Sequence, residues 1–141
     1  MTASLVPAEE VPFIWDEVAP HLEKAVKASR GKYEMSDALE LVLFGQGHLW
    51  IGYDDETKQI DTAAITHFLE YPRKKVLFCL FVGSKAGTSC KDEMIAILKD
   101  WAHDHGCSTM EGIGRPGWSK YLKHYGGNKV SDLYEFDIEE Y

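Results

Sequence analysis

No stretch of this sequence is apolar for long enough to cross a bilayer, which takes about 20 residues. The longest apolar run, Val76 to Val82, has seven. A basic segment followed by an apolar one is missing from the N-terminus, so neither a signal peptide nor a transmembrane helix is expected. Cysteine is scarce, with 3 in 141 residues. Cys79, Cys90 and Cys107 show no metal-ligand spacing and leave one thiol over, which excludes a disulfide framework and points to a reducing compartment, the cytoplasm. Basic charge is short as well: 15 Lys and Arg against 23 Asp and Glu give a net charge of −8. A general nucleic-acid binder, which must neutralise phosphates, is excluded on that ground. A small molecule, a protein partner or a basic substrate remains compatible. A nucleophile elbow, an HExxH helix and paired catalytic carboxylates are all lacking. The 6 histidines are scattered, and His103 and His105, two apart near a helix end, point in different directions, so no metal site is expected.

What is present suits one globular domain over residues 1–141, with 45% hydrophobic and 27% charged residues. Glu9 to Ser29 has helical periodicity through Phe13, Val18, Leu22, Ala25 and Val26, and Pro20 predicts a kink or two short helices. Ser36-Asp37 caps a second helix, Ala38 to Phe44, with Leu39, Val42 and Leu43 inward. From His48 to Tyr53 the period changes to that of a strand. Asp54 to Lys58 is a polar turn, and Ile60 to Tyr71 is its antiparallel partner.

The uninterrupted run Val76 to Val82 predicts a central strand covered on both faces. A glycine turn, Gly83-Ser84-Lys85-Ala86-Gly87-Thr88, leads to a helix from Ser89 to His105, with Met94, Ile97, Leu98, Trp101 and Ala102 on one side. Ser89 and Asp92 have capping-box spacing. Gly106 ends this helix, and a parallel strand, Ser108 to Ile113, precedes a further helix, Arg115 to Tyr125. Leu133, Glu135 and Asp137 alternate with Tyr134, Phe136 and Ile138, predicting a last strand. The fold class is thus α/β with a mixed sheet, in the order α-α-β-β-β-α-β-α-β.

The strand–turn–helix unit could present backbone N–H groups to a phosphate, helped by the helix dipole and Lys85, although any strand-to-helix connection uses such glycines. Glu111 is a candidate general base or a rim carboxylate. Trp118, Tyr121, Leu122 and Tyr125 share one helix side, as an aromatic core face or as the bearer of a proton-donating hydroxyl.

These elements resemble the GNAT N-acetyltransferase superfamily. The resemblance covers Glu9 to Ile138 and is carried most strongly by Val76 to Gly127, including Leu98-Lys99-Asp100-Trp101-Ala102-His103-Asp104-His105-Gly106-Cys107. Gly114-Arg115-Pro116-Gly117-Trp118 and Tyr71-Pro72-Arg73-Lys74-Lys75-Val76-Leu77 are similar to short GNAT-like proteins of tailed bacteriophages and prophages. The resemblance implies an acetyl-CoA site at Phe81, Val82, Gly83, Lys85, Ala86, Gly87 and Thr88, with Tyr121, Tyr125 and Glu111 as catalytic candidates. Ser84 and Ser89 stand where the family's loop has Arg or Gln and Gly or Ala, and Leu122 stands where it commonly has its tyrosine acid. Two functions follow. One is N-acyl transfer from acyl-CoA to an unknown amine or protein. The other is a non-catalytic virion, assembly or regulatory role through a phage or host protein partner in the host cytoplasm. Neither involves nucleic acid, a membrane or a metal.

Overall fold

The computed structural model describes residues 1–85, 90–114 and 118–139. The strands are β1 (Thr2–Val6), β2 (His48–Tyr53), β3 (Ile60–Glu70), β4 (Lys75–Ser84) and β5 (Thr109–Gly112). The helices are α1 (Val11–Lys27), α2 (Met35–Leu43), α3 (Lys91–Asp104) and α4 (Trp118–Lys123). The sheet runs β1-β2-β3-β4-β5. All neighbours are antiparallel except β4 and β5, which are parallel and joined through α3. This is the crossover that an apolar strand followed by a one-sided helix predicts. Among the described residues no helix is long and apolar enough to cross a membrane.

Two cores form, one on each face. Against α1 and α2 lie Leu49, Ala63, Ile65 and Phe81, with Val18, Leu22 and Val26 coming from α1. Against α3 lie Trp50, Ala64 and Leu77, met by Met94, Leu98 and Ala102. The alternation of Ala63 and Ile65 with Ala64 is the period of a strand covered on both sides. The middle strand is therefore β3, buried without a break from Ile60 to Thr66. Val76 to Val82 is interior but one place off centre, and its Phe78, Cys79 and Leu80 are only partly buried because the short edge strand β5 gives limited cover.

Several elements depart from expectation. Pro20 does not divide α1, which is continuous from Val11 to Lys27. Pro20 and Asp16, whose carbonyl loses its partner, both lie on the exposed side, where water can replace the missing N–H. Phe13 is 86% exposed, because Val11, Val18 and Leu22 set the buried stripe. The cap of α2 is Glu34, with Asp37 as the reciprocal third residue, so the cap begins two residues before Ser36. The N-terminal strand β1 was not anticipated. It is short and carries little pattern of its own, and its pairing with β2 defines it. The expected last strand, Asp132 to Ile138, is absent. Alternation shows which residues could share a face, but a strand also needs an edge to pair with. Arg30 instead holds this segment near the end of α1 through Glu135 at 2.6 Å. The helix expected from Arg115 is described from Trp118, and residues 115–117 lie outside the described residues, as does Ser89.

On the α3 face, Trp101 stacks on Phe68 at 5.1 Å between ring centres and meets Trp50 edge-on at 5.2 Å. His48 also borders it, at 4.6 Å. The Trp50 indole N–H donates to Thr66 Oγ1 at 2.9 Å, and the same hydroxyl lies 3.0 Å from His48 Nδ1. Trp101→Ala should cost about 3 kcal/mol in chemical denaturation, from lost burial plus ring contacts. A loss below about 1 kcal/mol would show that Trp101 is not part of the packing.

Burial, reinforced by His105, His67 and Lys75, lowers the His48 pKa from 6.5 to about 4. Between those values the unfolded chain binds the proton and the folded chain does not. Stability should therefore be level above pH 6.5 and fall as pH drops toward 4, by at most about 1.4 kcal/mol per pH unit. Urea titrations across this range should show the loss, and His48→Asn should flatten it. An unchanged slope in the variant would assign the loss to other groups.

Candidate functional site

The site begins where β4 and β5 part. Their pairing runs from Val76 with Thr109 to Cys79 with Gly112, while β4 continues to Ser84. On the other side of β4, Ile65 pairs with Phe81 and Thr66 with Cys79, leaving Leu80 as an extra residue. This bulge turns two successive side chains the same way: Leu80 and Phe81 both join the α1–α2 core, whereas Cys79 and Val82 join the α3 core. A bulge bends and twists its strand, and this one falls where β5 stops. From Leu80 to Ser84 the β5-facing edge of β4 has no strand beside it among the described residues. Ile113, the residue after β5, is 73% exposed as the chain leaves the sheet.

Glycines bring helices close on both faces of the sheet. A Cβ on Gly83 would lie 1.7 Å from the His21 carbonyl oxygen, so α1 rests its backbone directly on β4. On the opposite face a Cβ on Gly52 would lie 2.7 Å from Cys90 Sγ, which seats the start of α3 on β2. Cys90 is fully buried. Burial raises the Cys79 pKa to about 11, so at the end of the β4–β5 pairing it is a neutral thiol and supplies no thiolate.

The sequence-expected donor-site residues divide accordingly. Phe81 is 2% exposed and meets Tyr33 edge-on at 5.3 Å. It is a core residue beneath the opening. Val82 packs toward α3, and Gly83 accommodates α1. The backbone N–H of Lys85 donates to Asp61 O at 2.7 Å, so it is already committed. Ala86, Gly87 and Thr88 lie outside the described residues.

Tyr121 and Tyr125, one turn apart on and just beyond α4, come to the first turn of α3. Tyr125 O–H donates to Asp92, and its oxygen lies 3.3 Å from the Tyr121 hydroxyl. The hydrogen bond to Asp92, then that to Tyr121, raises the Tyr125 pKa above the ordinary tyrosine range. Lys91 Nζ lies 4.3 Å from the centre of the Tyr121 ring, and Lys99 Nζ donates to Tyr125 O at 2.9 Å. Leu122 accepts the Gly127 N–H at 2.9 Å in the turn that ends the helix. Glu111 is elsewhere. Its neighbour Met110 packs on the α3 side, so Glu111 faces the other side, in register with Phe78. Sequence reasoning treated Asp92 only as a capping residue. Its partnership with Tyr125, 33 positions away, has no local signal.

On the α1–α2 side are two shallow cavities that share Tyr33. One, of about 280 Å³, is lined by Lys32, Asp37, Glu40, Leu41 and Gln46. The other, of about 360 Å³, is lined by Glu23, Val26, Lys27, Glu34 and Met35.

No protein-family model and no curated protein sequence matches this chain. Solved structures do match it along nearly its whole length. A predicted acetyltransferase of Clostridium acetobutylicum, crystallised with acetyl-CoA, superposes with a TM-score of 0.69 at 12% identity, covering 99% of this chain and 97% of that one. A ribosomal-protein-alanine N-acetyltransferase of Brucella melitensis gives 0.69 at 14% identity, with 98% and 100% covered. An aminoglycoside acetyltransferase from an uncultured soil sample, in complex with sisomicin, gives 0.68 at 9% identity, with 96% and 95% covered. The fold is that of the GNAT-like acetyltransferases.

Gly83→Ala tests the packing that frames the opening. The methyl group would meet helix backbone, which cannot rotate away, so α1 must lift from β4. A loss of about 3 kcal/mol or more is expected in denaturant titration. A loss under about 1 kcal/mol would show that α1 is not seated at Gly83.

Proposed function

We propose that this protein is an acyl-CoA-dependent N-acyltransferase. The parting of β4 from β5 at Leu80 carries the reading. An open strand edge from Leu80 to Ser84, floored by buried side chains, fits an extended arm bearing amides, because such an arm can hydrogen-bond to the edge as a strand would. Acyl-CoA has that arm and supplies the acyl group as an activated thioester. The chain's own contribution is positioning and proton transfer. Tyr125 has its proton committed to Asp92, which leaves Tyr121 to protonate the departing sulfur, with the Lys91 ammonium beside the charge left behind. Glu111, on the opposite side of β5, is suited to take the proton of the attacking amine.

The carboxylates of Asp37 and Glu40 beside Lys32 in one cavity, and of Glu23 and Glu34 beside Lys27 in the other, leave each with an excess of negative charge that suits a cationic acceptor such as a lysine side chain or a small polyamine. The neighbours named for N-terminal alanine acetylation and for an aminoglycoside complex support an amine acceptor. In this reading the whole chain acts as one domain in the cytoplasm, which is the host's if the phage resemblance reflects its origin. One observation favours the non-catalytic alternative, a scaffold acting through a phage or host protein. The first turn of α3 carries Asp92 and Glu93, of the same charge sign as a diphosphate.

Calorimetric titration with millimolar acetyl-CoA and with coenzyme A separates the two. Saturable heat is expected, and its complete absence would overturn the enzyme reading. Asp92→Asn should tighten binding about two- to fivefold by removing like charge at a helix start. Tyr121→Phe should lower kcat by about 10²-fold with little change in KM, as expected of a group acting in the transition state.

A further inference from the structure

Three side chains stand in one row across the sheet, on the side away from α3. His67 on β3 is in register with Phe78 on β4, and Phe78 with Glu111 on β5. Their neighbours Phe68, Leu77, Cys79 and Met110 pack toward α3, so all three point to the other side. Strands lie about 4.8 Å apart, which sets His67 and Glu111 roughly 10 Å apart at the backbone. An imidazole and a carboxylate can reach one atom from that separation. The Phe78 ring lies between them, with the His67 ring edge-on to it at 5.6 Å. All three residues are half-buried. Burial alone lowers the His67 pKa from 6.5, so its ring is an uncharged proton acceptor at neutral pH. Of the titratable groups around it, Glu111 shares its side of the sheet, and His48 lies on the α3 side against Trp101. The row adjoins two features already described. The pair after it, Cys79 with Gly112, is the last before β4 and β5 part. Ile65 and Phe81 form the next rung on the same side, and Tyr33, resting on Phe81, lines the cavity that carries Asp37 and Glu40.

We infer that His67 is a catalytic base that removes the first proton from an alkylammonium acceptor seated over Phe78. The inference rests on the acyl-transfer reading and completes its proton balance. An alkylammonium carries three N–H protons, and the amide formed from it carries one. The first must leave before the nitrogen has a lone pair for attack. The second leaves as the C–N bond forms and the C–S bond breaks. His67 takes the first and Glu111 the second, while the departing sulfur takes a proton from Tyr121. The proton on Glu111 replaces, through water, the one given by Tyr121, and the proton on His67 is released to solvent. One amide, one thiol and one proton result. The face of Phe78 and the Glu111 carboxylate both attract the ammonium before it is neutralised. The tyrosine pair is on the α3 side, so the amine approaches from one side of the sheet and the acid serves the sulfur from the other.

The test is acetyl transfer from acetyl-CoA to putrescine and to Nα-acetyl-lysine amide, followed between about pH 7 and about pH 9.5. His67→Gln should lower kcat about 10²-fold at neutral pH, yet bind acetyl-CoA in calorimetry as the wild type does. Its deficit should shrink to under about tenfold at the alkaline end. There the acceptor, whose amine has a pKa of about 10.4, arrives deprotonated far more often and needs the base less. A loss of packing alone would leave the same deficit at every pH. Circular dichroism checks folding, and His67→Asn replaces the variant if it unfolds. With the wild type active, a deficit that is absent or constant with pH would overturn the inference and leave the acyltransferase reading standing. Binding of acetyl-CoA without transfer to either amine would also overturn it, since the row is assigned an ammonium. No saturable heat with acetyl-CoA would overturn the acyltransferase reading, and the inference with it.

Discussion

The contact on which the architecture depends is made between backbones, where the carbonyl of His21 rests against Gly83. A helix kept away by side chains would stand well clear of the sheet. Here α1 comes close enough for Val18, Leu22 and Val26 to reach the layer formed by Ile65 and Phe81. The His21 ring secures the same point by donating from Nε2 to Ile60 O at 3.0 Å. Gly52 does the corresponding work on the other face for Cys90 and the start of α3. With both faces held in this way, the edge of β4 that faces β5 is left without a strand beside it beyond Cys79 among the described residues.

The bulge at Leu80 gives that open edge its form. Without it, Phe81 would face α3, and a large ring would compete for space with Leu77 and Met94. With it, Leu80 and Phe81 both enter the α1–α2 core, and the strand bends where its parallel partner ends. One inserted residue thus fills a core and opens a sheet at the same place. This coupling explains why the buried Phe81 lies beneath an edge that, among the described residues, has no strand beside it beyond Cys79.

The elements legible in the sequence are those whose signal is local. The strand boundaries at His48, Tyr53 and Ile60, the stop at Gly106, and the parallel β4–β5 unit follow from alternation, apolar run length and glycine position. Features set by distant partners were not legible. Leu80 as a bulge is defined by its register against β3, and Leu80 resembles its neighbours in every local respect. Thr2–Val6 is a strand because β2 offers it an edge. Asp132 to Ile138 has a good strand pattern but pairs with no strand among the described residues. Of the candidate site, Tyr121 and Tyr125 do come together, but Asp92, which determines what Tyr125 can do, belongs to another helix. Glu111 was legible as an isolated carboxylate, but its position on the face away from those tyrosines became clear only from the packing of Met110.

In the acyl-CoA reading proposed above, the charge at the start of α3 bears most directly on how a diphosphate would be held. Asp92 and Glu93 favour the helix itself, since a carboxylate near a helix N-terminus contributes about 0.3–1 kcal/mol when exposed. The same charges oppose an incoming diphosphate by a similar, salt-screened amount. A diphosphate met by backbone N–H groups gains about 1.5–3 kcal/mol for each charged hydrogen bond, so two or three such bonds outweigh both carboxylates. In that reading the acidic turn would adjust affinity without deciding it. Asp92 is further engaged in accepting the Tyr125 proton, which directs part of its charge toward α4. In the acyl-CoA reading proposed above, Asp92 would thus join the diphosphate end of α3 to the tyrosine pair through a single carboxylate.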